Sequence, residues 1–367
     1  MDDAERGRAW AALAAVDLPA RALVALLRAF GTPQAVLDAS AASVTSLAGA
    51  DAAAAIRARD REREARIGGW LDDDSHRLVA LDDPAYPARL LEAGDPPPVL
   101  YAIGDIARLQ APSIAIVGSR NATPQGQEDA REFARTLADA GLTVVSGLAV
   151  GIDAAAHRGA LASPASTVAV TGTGPDRVYP AGNRELAHEI AQRGCIVTPF
   201  APGTPPLKGN FPRRNRIIAA SSLGVLVVEA APRSGSLVTA RQAVECGREV
   251  FAIPGSIHSP LSKGPHELIR QGAKLVESAH DVLAELRLTR TPPAGSPGPG
   301  SAAVADLPAP DGDHRRVLES MGAGPVGLDR LVTRTGLAAD TLASMLVQLE
   351  LDGHVRTLPG GRWQRRG

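Results

Sequence analysis

Residues 114–147 read IAIVGSRNATPQGQEDAREFARTLADAGLTVVSG. The apolar run Ile114–Val117 is short and unbroken, as a strand buried on both faces should be. After it, Thr123 can cap a helix and Pro124 suits the first helical position. Ala130, Phe133, Ala134, Leu137 and Ala138 then recur at helical spacing and make one apolar stripe. Gly141 ends the helix, and Thr143–Ser146 (TVVS) starts a second strand. The stretch is therefore one complete strand–helix–strand unit.

Working outward, the runs TVAV, CIVT, GVLVVE, EVFAI and AKLV repeat this pattern as far as Leu286. Alternation on that scale predicts an α/β fold, a Rossmann-like doubly wound, mainly parallel sheet. Residues 76–111 are broken by prolines and are expected to pack on its edge. Residues 1–75, rich in Ala, Arg and Leu, predict an N-terminal domain of short helices. There Leu23, Leu26, Leu27 and Phe30 share one face, and Gly31 is the stop. This part is SAM- or helix-hairpin-helix-like in outline, although its turn DLPARAL lacks the glycines that allow close approach of backbone to phosphate. The Rossmann-like region is expected to span 76–287. Residues 288–312 are too rich in Pro, Gly and Ser to fold and are expected to form a flexible linker. Residues 313–367 predict three helices and a hairpin turning at Gly360–Gly361, the outline of a winged helix-turn-helix.

The chain of 367 residues is 44% apolar and 3% aromatic, with a formal net charge of −1. Such a balance argues against wholesale coating of nucleic acid or membrane, so any anion binding must be local. Two cysteines without metal-ligand spacing suit a reducing compartment. The acidic start MDDAERGRAW is unlike a signal peptide, and no apolar run approaches the roughly 20 residues of a membrane span. A cytoplasmic protein with no membrane contact is expected, and no metal or cofactor.

Ligands of open α/β sheets sit beyond the carboxyl ends of the strands. Here the strands run into GSRNATPQG, SGLAVGID, TGTGPD and APRSGSLVTA, all rich in small residues. TGTGPD lacks the third glycine of a dinucleotide fingerprint, and no GxxxxGK[ST] loop occurs. On the same end of the sheet, between CIVT and GVLVVE, lies LKGNFPRRNRIIAAS (207–221). It holds Lys208, Arg213, Arg214 and Arg216 with no carboxylate among them, around one of only five phenylalanines, Phe211. Arg120 adds a fifth cation to that rim. Cations there would neutralise successive phosphates, and Phe211 could stack on a base. Asp153 and His157 stand four apart, which suits a metal or an acid/base pair but fits better with structural hydrogen bonds at a helix start. Glu229, at the end of a strand beside Ser234–Gly235–Ser236, is placed for a catalytic carboxylate or for pairing with arginines.

Together IAIVGSRNATPQG, VVSGLAVGIDAAAHRGAL, TVAVTGTGPDRVYPAGN, FPRRNRIIA, VVEAAPRSGSLVTARQAVECGREVFAIPGS and GPHELIRQGAKLV resemble the DprA/Smf family of bacterial DNA-processing proteins. The resemblance covers most of the chain. It implies a homodimer formed through the Rossmann-like domain that binds single-stranded DNA, protects incoming strands in natural transformation and loads RecA, without catalytic residues. The DNA pocket it implies comprises Gly118, Ser119 and Arg120; Ser146 and Gly147; Lys208, Asn210 and Phe211; Arg213, Arg214, Asn215 and Arg216; and Ser234, Gly235 and Ser236. Thr198–Pro199, His266 and Trp363 depart from the family's usual Ser–Glu, Asn and Tyr. Two other readings compete. One is a phosphoribohydrolase-like nucleotide-processing enzyme using Glu229, and the other places the main contact, to duplex, in the winged helix.

Overall fold

The structure, a computed structural model, describes residues 3–287, 312–321, 326–358 and 362–365. They belong to two units, Met1–Leu288 and Thr289–Gly367. The first begins with six short helices: α1 (Asp3–Ala14), α2 (Ala20–Phe30), α3 (Pro33–Asp38), α4 (Ala41–Ala48), α5 (Ala50–Arg57) and α6 (Arg61–Leu71). Thr32, Ser40 and Asp60 cap three of them through their side chains. Leu23 and Leu26 are buried and Leu27 and Phe30 partly so, and Gly31 ends α2 at φ 81°.

A nine-stranded sheet follows, made of β1 (His76–Ala80), β2 (Val99–Gly104), β3 (Ser113–Val117), β4 (Thr143–Ser146), β5 (Thr167–Val170), β6 (Cys195–Thr198), β7 (Gly224–Val227), β8 (Glu249–Ala252) and β9 (Lys274–Leu275). The order is β1-β2-β6-β5-β4-β3-β7-β8-β9. The strands from β6 to β9 in that order are parallel. Residues 76–111 do more than pack on the edge. They add β2 antiparallel to β6, Tyr101 opposite Thr198, and β1 antiparallel to β2. The prolines at 84, 87 and 96–98 fall in the connection, so they interrupt the segment without removing a ladder donor.

The parallel strands β3 to β7 are buried on both faces because helices cover both, whereas β9 at the edge is exposed. In β3, Ala115 and Val117 face one core while Ile114 and Ile116 face the other. The helices in chain order are α7 (Ala88–Leu91), α8 (Pro124–Asp139), α9 (Ile152–Leu161), α10 (Arg184–Arg193), α11 (Asn210–Ser221), α12 (Gly235–Glu245), α13 (Lys263–Arg270) and α14 (Ala279–Glu285). α8 begins as expected: the Thr123 hydroxyl accepts from the Gly126 amide at 2.9 Å, with Pro124 in the first turn. Trp10, Leu26, Val36, Val44, Ile67 and Trp70 of the leading helices share one core with Ala80, Val99 and Tyr101 of the sheet.

The second unit contains α15 (Gly312–Met321), β10 (Val326–Gly327), α16 (Leu328–Thr335), α17 (Ala339–Leu351), β11 (Val355–Leu358) and β12 (Arg362–Arg365). Its antiparallel sheet has the order β10-β12-β11, and Val317, Leu331, Leu342, Leu346 and Val355 fill its core. This is a winged helix. The expected turn at Gly360–Gly361 and residues 288–311 of the linker lie outside the described residues, while Gly312, assigned to the linker, opens α15. Among the described residues no helix is long and apolar enough to cross a membrane.

Candidate nucleic-acid interface

The chain runs outward from β3 through β4 and β5 to β6, then returns to place β7 on the other side of β3. Loops leaving β3 and β7 therefore diverge, and a crevice opens at their carboxyl ends. A cleft of about 570 Å³ lies there. One wall is Gly118, Ser119, Arg120 and Asn121 after β3. Another is the loop 231–236 after β7 with the first turn of α12. The third is α11, which contributes Phe211, Arg214, Asn215 and Ile218. Those positions are i, i+3, i+4 and i+7, one face of a helix. Lys208, just ahead of α11, completes the rim.

The Phe211 ring is the centre of the cationic group. Arg120 Cζ lies 5.8 Å and Arg214 Cζ 6.0 Å from its centroid, and the Tyr179 ring is 5.8 Å away, tilted 45°. These are cation–π distances, so the ring helps hold both guanidiniums at the cleft. Gly172 lies behind it, where a Cβ would come within 2.9 Å of Phe211 Cδ1. The first glycine of TGTGPD thus makes room for an aromatic ring.

Arg214 is only 5% exposed, and Asp153 at 7% lines the same cleft. Asp153 Oδ2 accepts from the amides of Gly147 at 3.1 Å and Ala149 at 3.4 Å. Burial raises its pKa, against the pull of Arg214 and of those two amides. Burial lowers Arg214 to about 10, with Asp153 opposing and Arg120 adding to the fall. Arg214 therefore stays cationic at neutral pH. Its Nε is buried without a hydrogen-bond partner. Four cations, Arg120, Lys208, Arg214 and Arg233, face this cleft against the single carboxylate of Asp153.

The amino end of α12 opens onto the same space. Ser234 caps it, its hydroxyl accepting from the Ser236 amide at 3.3 Å. A Cβ on Gly235 would meet nothing within 4 Å, so the backbone is bare to an approaching ligand. A helix start set among guanidiniums is electrostatically suited to an anion.

The sequence matches the family model for DNA recombination-mediator protein A over residues 77–287 and that for the DprA winged helix domain over 301–361. It is 42% identical over 298 residues to protein Smf of Escherichia coli, covering 80% of this chain and 78% of that one. The chain belongs to the DprA/Smf family. As a member of it, the chain is a DNA-processing recombination mediator. The X-ray structure of DNA processing protein A from Streptococcus pneumoniae superposes with a TM-score of 0.65 at 38% identity, covering 73% of this chain and 94% of that one. The Helicobacter pylori DNA processing protein A, described for its unique single-stranded DNA binding mode, gives 0.53 at 31% identity, over 57% of this chain and 96% of that one.

Ten of the fifteen residues the family resemblance implies line the cleft: Gly118, Ser119, Arg120, Lys208, Phe211, Arg214, Asn215, Ser234, Gly235 and Ser236. Five do not. The Ser146 hydroxyl donates to the Ile116 carbonyl at 2.7 Å, fully buried. Gly147 is roofed by Arg214. Asn210 donates to the Gly172 carbonyl at 3.1 Å, tying α11 to the loop after β5. Arg213 turns to a second cleft, its Cζ 5.7 Å from the Phe200 centroid, and Arg216 pairs with Glu245 at 3.7 Å. Conversely, Asn121, Arg233 and Tyr179 stand at the site without having been singled out. Arg233 could have been found, since it directly precedes Ser234 in the APRSGS turn.

Glu229 neither enters the cleft nor pairs with an arginine. Its carboxylate accepts from the Thr123 amide at 2.8 Å and the Thr123 hydroxyl at 2.6 Å, at the start of α8. Asp153 and His157 do not bond each other. His157 Nδ1 lies 2.7 Å from the Thr167 hydroxyl and its Nε2 accepts from the Leu148 amide at 3.3 Å, so both side chains hold the loop 147–149 in place.

Proposed function

We propose that this chain is a single-strand DNA-binding recombination mediator that grips the sugar–phosphate backbone in the Arg120–Phe211–Arg214 cleft. The observation that carries the reading is the gathering of four cations, a bare helix start and an aromatic ring at the switch point of the sheet. None of these contacts reads a base edge, so binding is tolerant of sequence. The described relative from Helicobacter pylori binds single-stranded DNA, which supports the same ligand here. By family resemblance the protein works as a homodimer, protects incoming strands and delivers them to RecA. Two linked clefts then raise apparent affinity without new contacts.

The nucleotide-hydrolase reading loses its carboxylate, because Glu229 is engaged at the start of α8. The duplex reading through the winged helix finds no cation on α17, whose ionisable residues are Asp340 and Glu350.

The test is a salt titration with labelled oligo-dT and matched duplex, comparing wild type with Arg120→Ala/Lys208→Ala. Each phosphate neutralised on a single strand contributes a slope of about −0.7 in log K against log salt. The double variant should lose affinity and flatten the slope by about 1.4. Unchanged binding would place the DNA elsewhere on the protein.

A further inference from the structure

Arg213 and Arg214 are neighbours on α11 yet serve different cavities. Successive residues of a helix are about 100° apart, so one side chain enters the cleft described above and the other leaves it. Arg213 lines a second cleft of about 610 Å³ with Arg63 and Arg66 of α6 and the turn 199–205. Its guanidinium is held over Phe200, and among the described residues neither it nor Arg63 forms an ion pair with a carboxylate. Arg66 reaches Glu62 only at 3.8 Å, between two exposed side chains, which leaves it available. Asp17 is the one acidic residue on the wall.

The floor of this cleft is pre-formed. The Gly203 amide donates to Asp176 Oδ1 at 2.8 Å, the Gly174 amide to the Thr204 carbonyl at 2.9 Å, and the Thr204 hydroxyl to the Ala201 carbonyl at 2.6 Å. The two clefts share a partition. Pro205 and Arg213 face the second, Lys208 and Pro212 the first. A polyanion crossing the start of α11 passes from one to the other beside Lys208.

We propose that the Arg63–Arg66–Arg213 cleft is a second phosphate-binding station for the same single strand, supplied jointly by the N-terminal helices and the sheet domain. The inference rests on the single-strand reading above. The second cleft takes backbone phosphates only, because Phe200 is 8% exposed and already covered by Arg213, leaving no face for a base.

The experiment compares full-length wild type, Arg63→Ala/Arg66→Ala, Arg63→Lys/Arg66→Lys and Arg120→Ala/Lys208→Ala on oligo-dT of about 6 and about 16 nucleotides, the low and high ends of known site sizes. Melting curves are recorded in parallel. The Ala pair should bind the short oligomer as wild type does and lose roughly tenfold on the long one at moderate salt, with the slope reduced by about 1.4. The Lys pair should retain long-oligomer binding. Wild-type binding of the long oligomer by the Ala pair, equal losses on both lengths, or a Lys pair as weak as the Ala pair would each overturn the proposal. Unchanged binding of the short oligomer by Arg120→Ala/Lys208→Ala would instead sink the reading of the first cleft.

Discussion

The guanidinium of Arg214 occupies the space that a side chain on residue 147 would need. A Cβ built on Gly147 would overlap Arg214 Nη1 and come within 2.6 Å of Cζ and 2.8 Å of Asp153 Oδ2. Glycine at 147 is thus what lets a buried arginine lie over the loop after β4 and beside Asp153.

Gly147→Ala should therefore displace Arg214 and remove the favourable field it exerts on buried Asp153. Overpacking a buried site typically costs about 1–3 kcal/mol. We expect a lower urea midpoint together with weakened oligo-dT binding. Arg214→Met should reproduce both effects, and adding Gly147→Ala to it should cost little more, since the two changes act on one contact.

Gly172 supports Phe211 in the same manner. Gly172→Ala should push the ring out of register with Arg120 and Arg214 and weaken oligo-dT binding by about 1–3 kcal/mol, the scale of one base–aromatic contact. Phe211→Leu should lose a similar amount. A Gly172→Ala variant that binds as wild type would show that the ring takes no part in binding.

Glu229→Gln separates a structural from a catalytic carboxylate. Its bonds from Thr123 would weaken from charge-assisted to neutral, costing about 1 kcal/mol of stability. Oligo-dT affinity should not change, because the carboxylate lies outside the cleft. Thermal melting and fluorescence anisotropy on the same samples read the two quantities.

His157 gives the fold an acid-side weakness. Burial first, then Arg214 and Arg158, lowers its pKa from 6.5 to about 3. A depressed folded-state value means the unfolded chain binds the extra proton between those limits. The contribution of neutral His157 is thus complete above pH 6.5 and is lost as pH falls toward 3, by up to about 1.4 kcal/mol per unit. Asp153, whose pKa is raised, works in the opposite sense and blunts the slope at the acid end. Denaturation midpoints of wild type should fall from pH 6.5 to 4, and those of His157→Gln should fall less steeply.

Much of the sheet was legible because burial on both faces leaves an unmistakable mark. TVVS, TVAV and CIVT coincide with β4, β5 and β6 residue for residue. The strands β1 and β2 were hidden by prolines that turn out to lie between them. Much of the cleft was legible too, since small residues and cations gather where helix starts point. Helical spacing from Phe211 would also have separated Arg214 and Asn215 from Arg213 and Arg216, had 210–221 been read as a helix and not as a charged segment.

By itself the sequence determined the alternation of strands and helices, the capped start of α8, the winged-helix outline and the family. These depend on local propensity, apolar period and motif order, all of which are written along the chain. The destination of each polar side chain was decided by the tertiary structure. Arg214 goes inward because Asp153 and bare Gly147 meet it from another strand's loop, and Glu229 goes to Thr123 because β7 lies beside β3. A buried charge is placed by the partner that offsets its desolvation, and that partner is brought near only when the sheet closes.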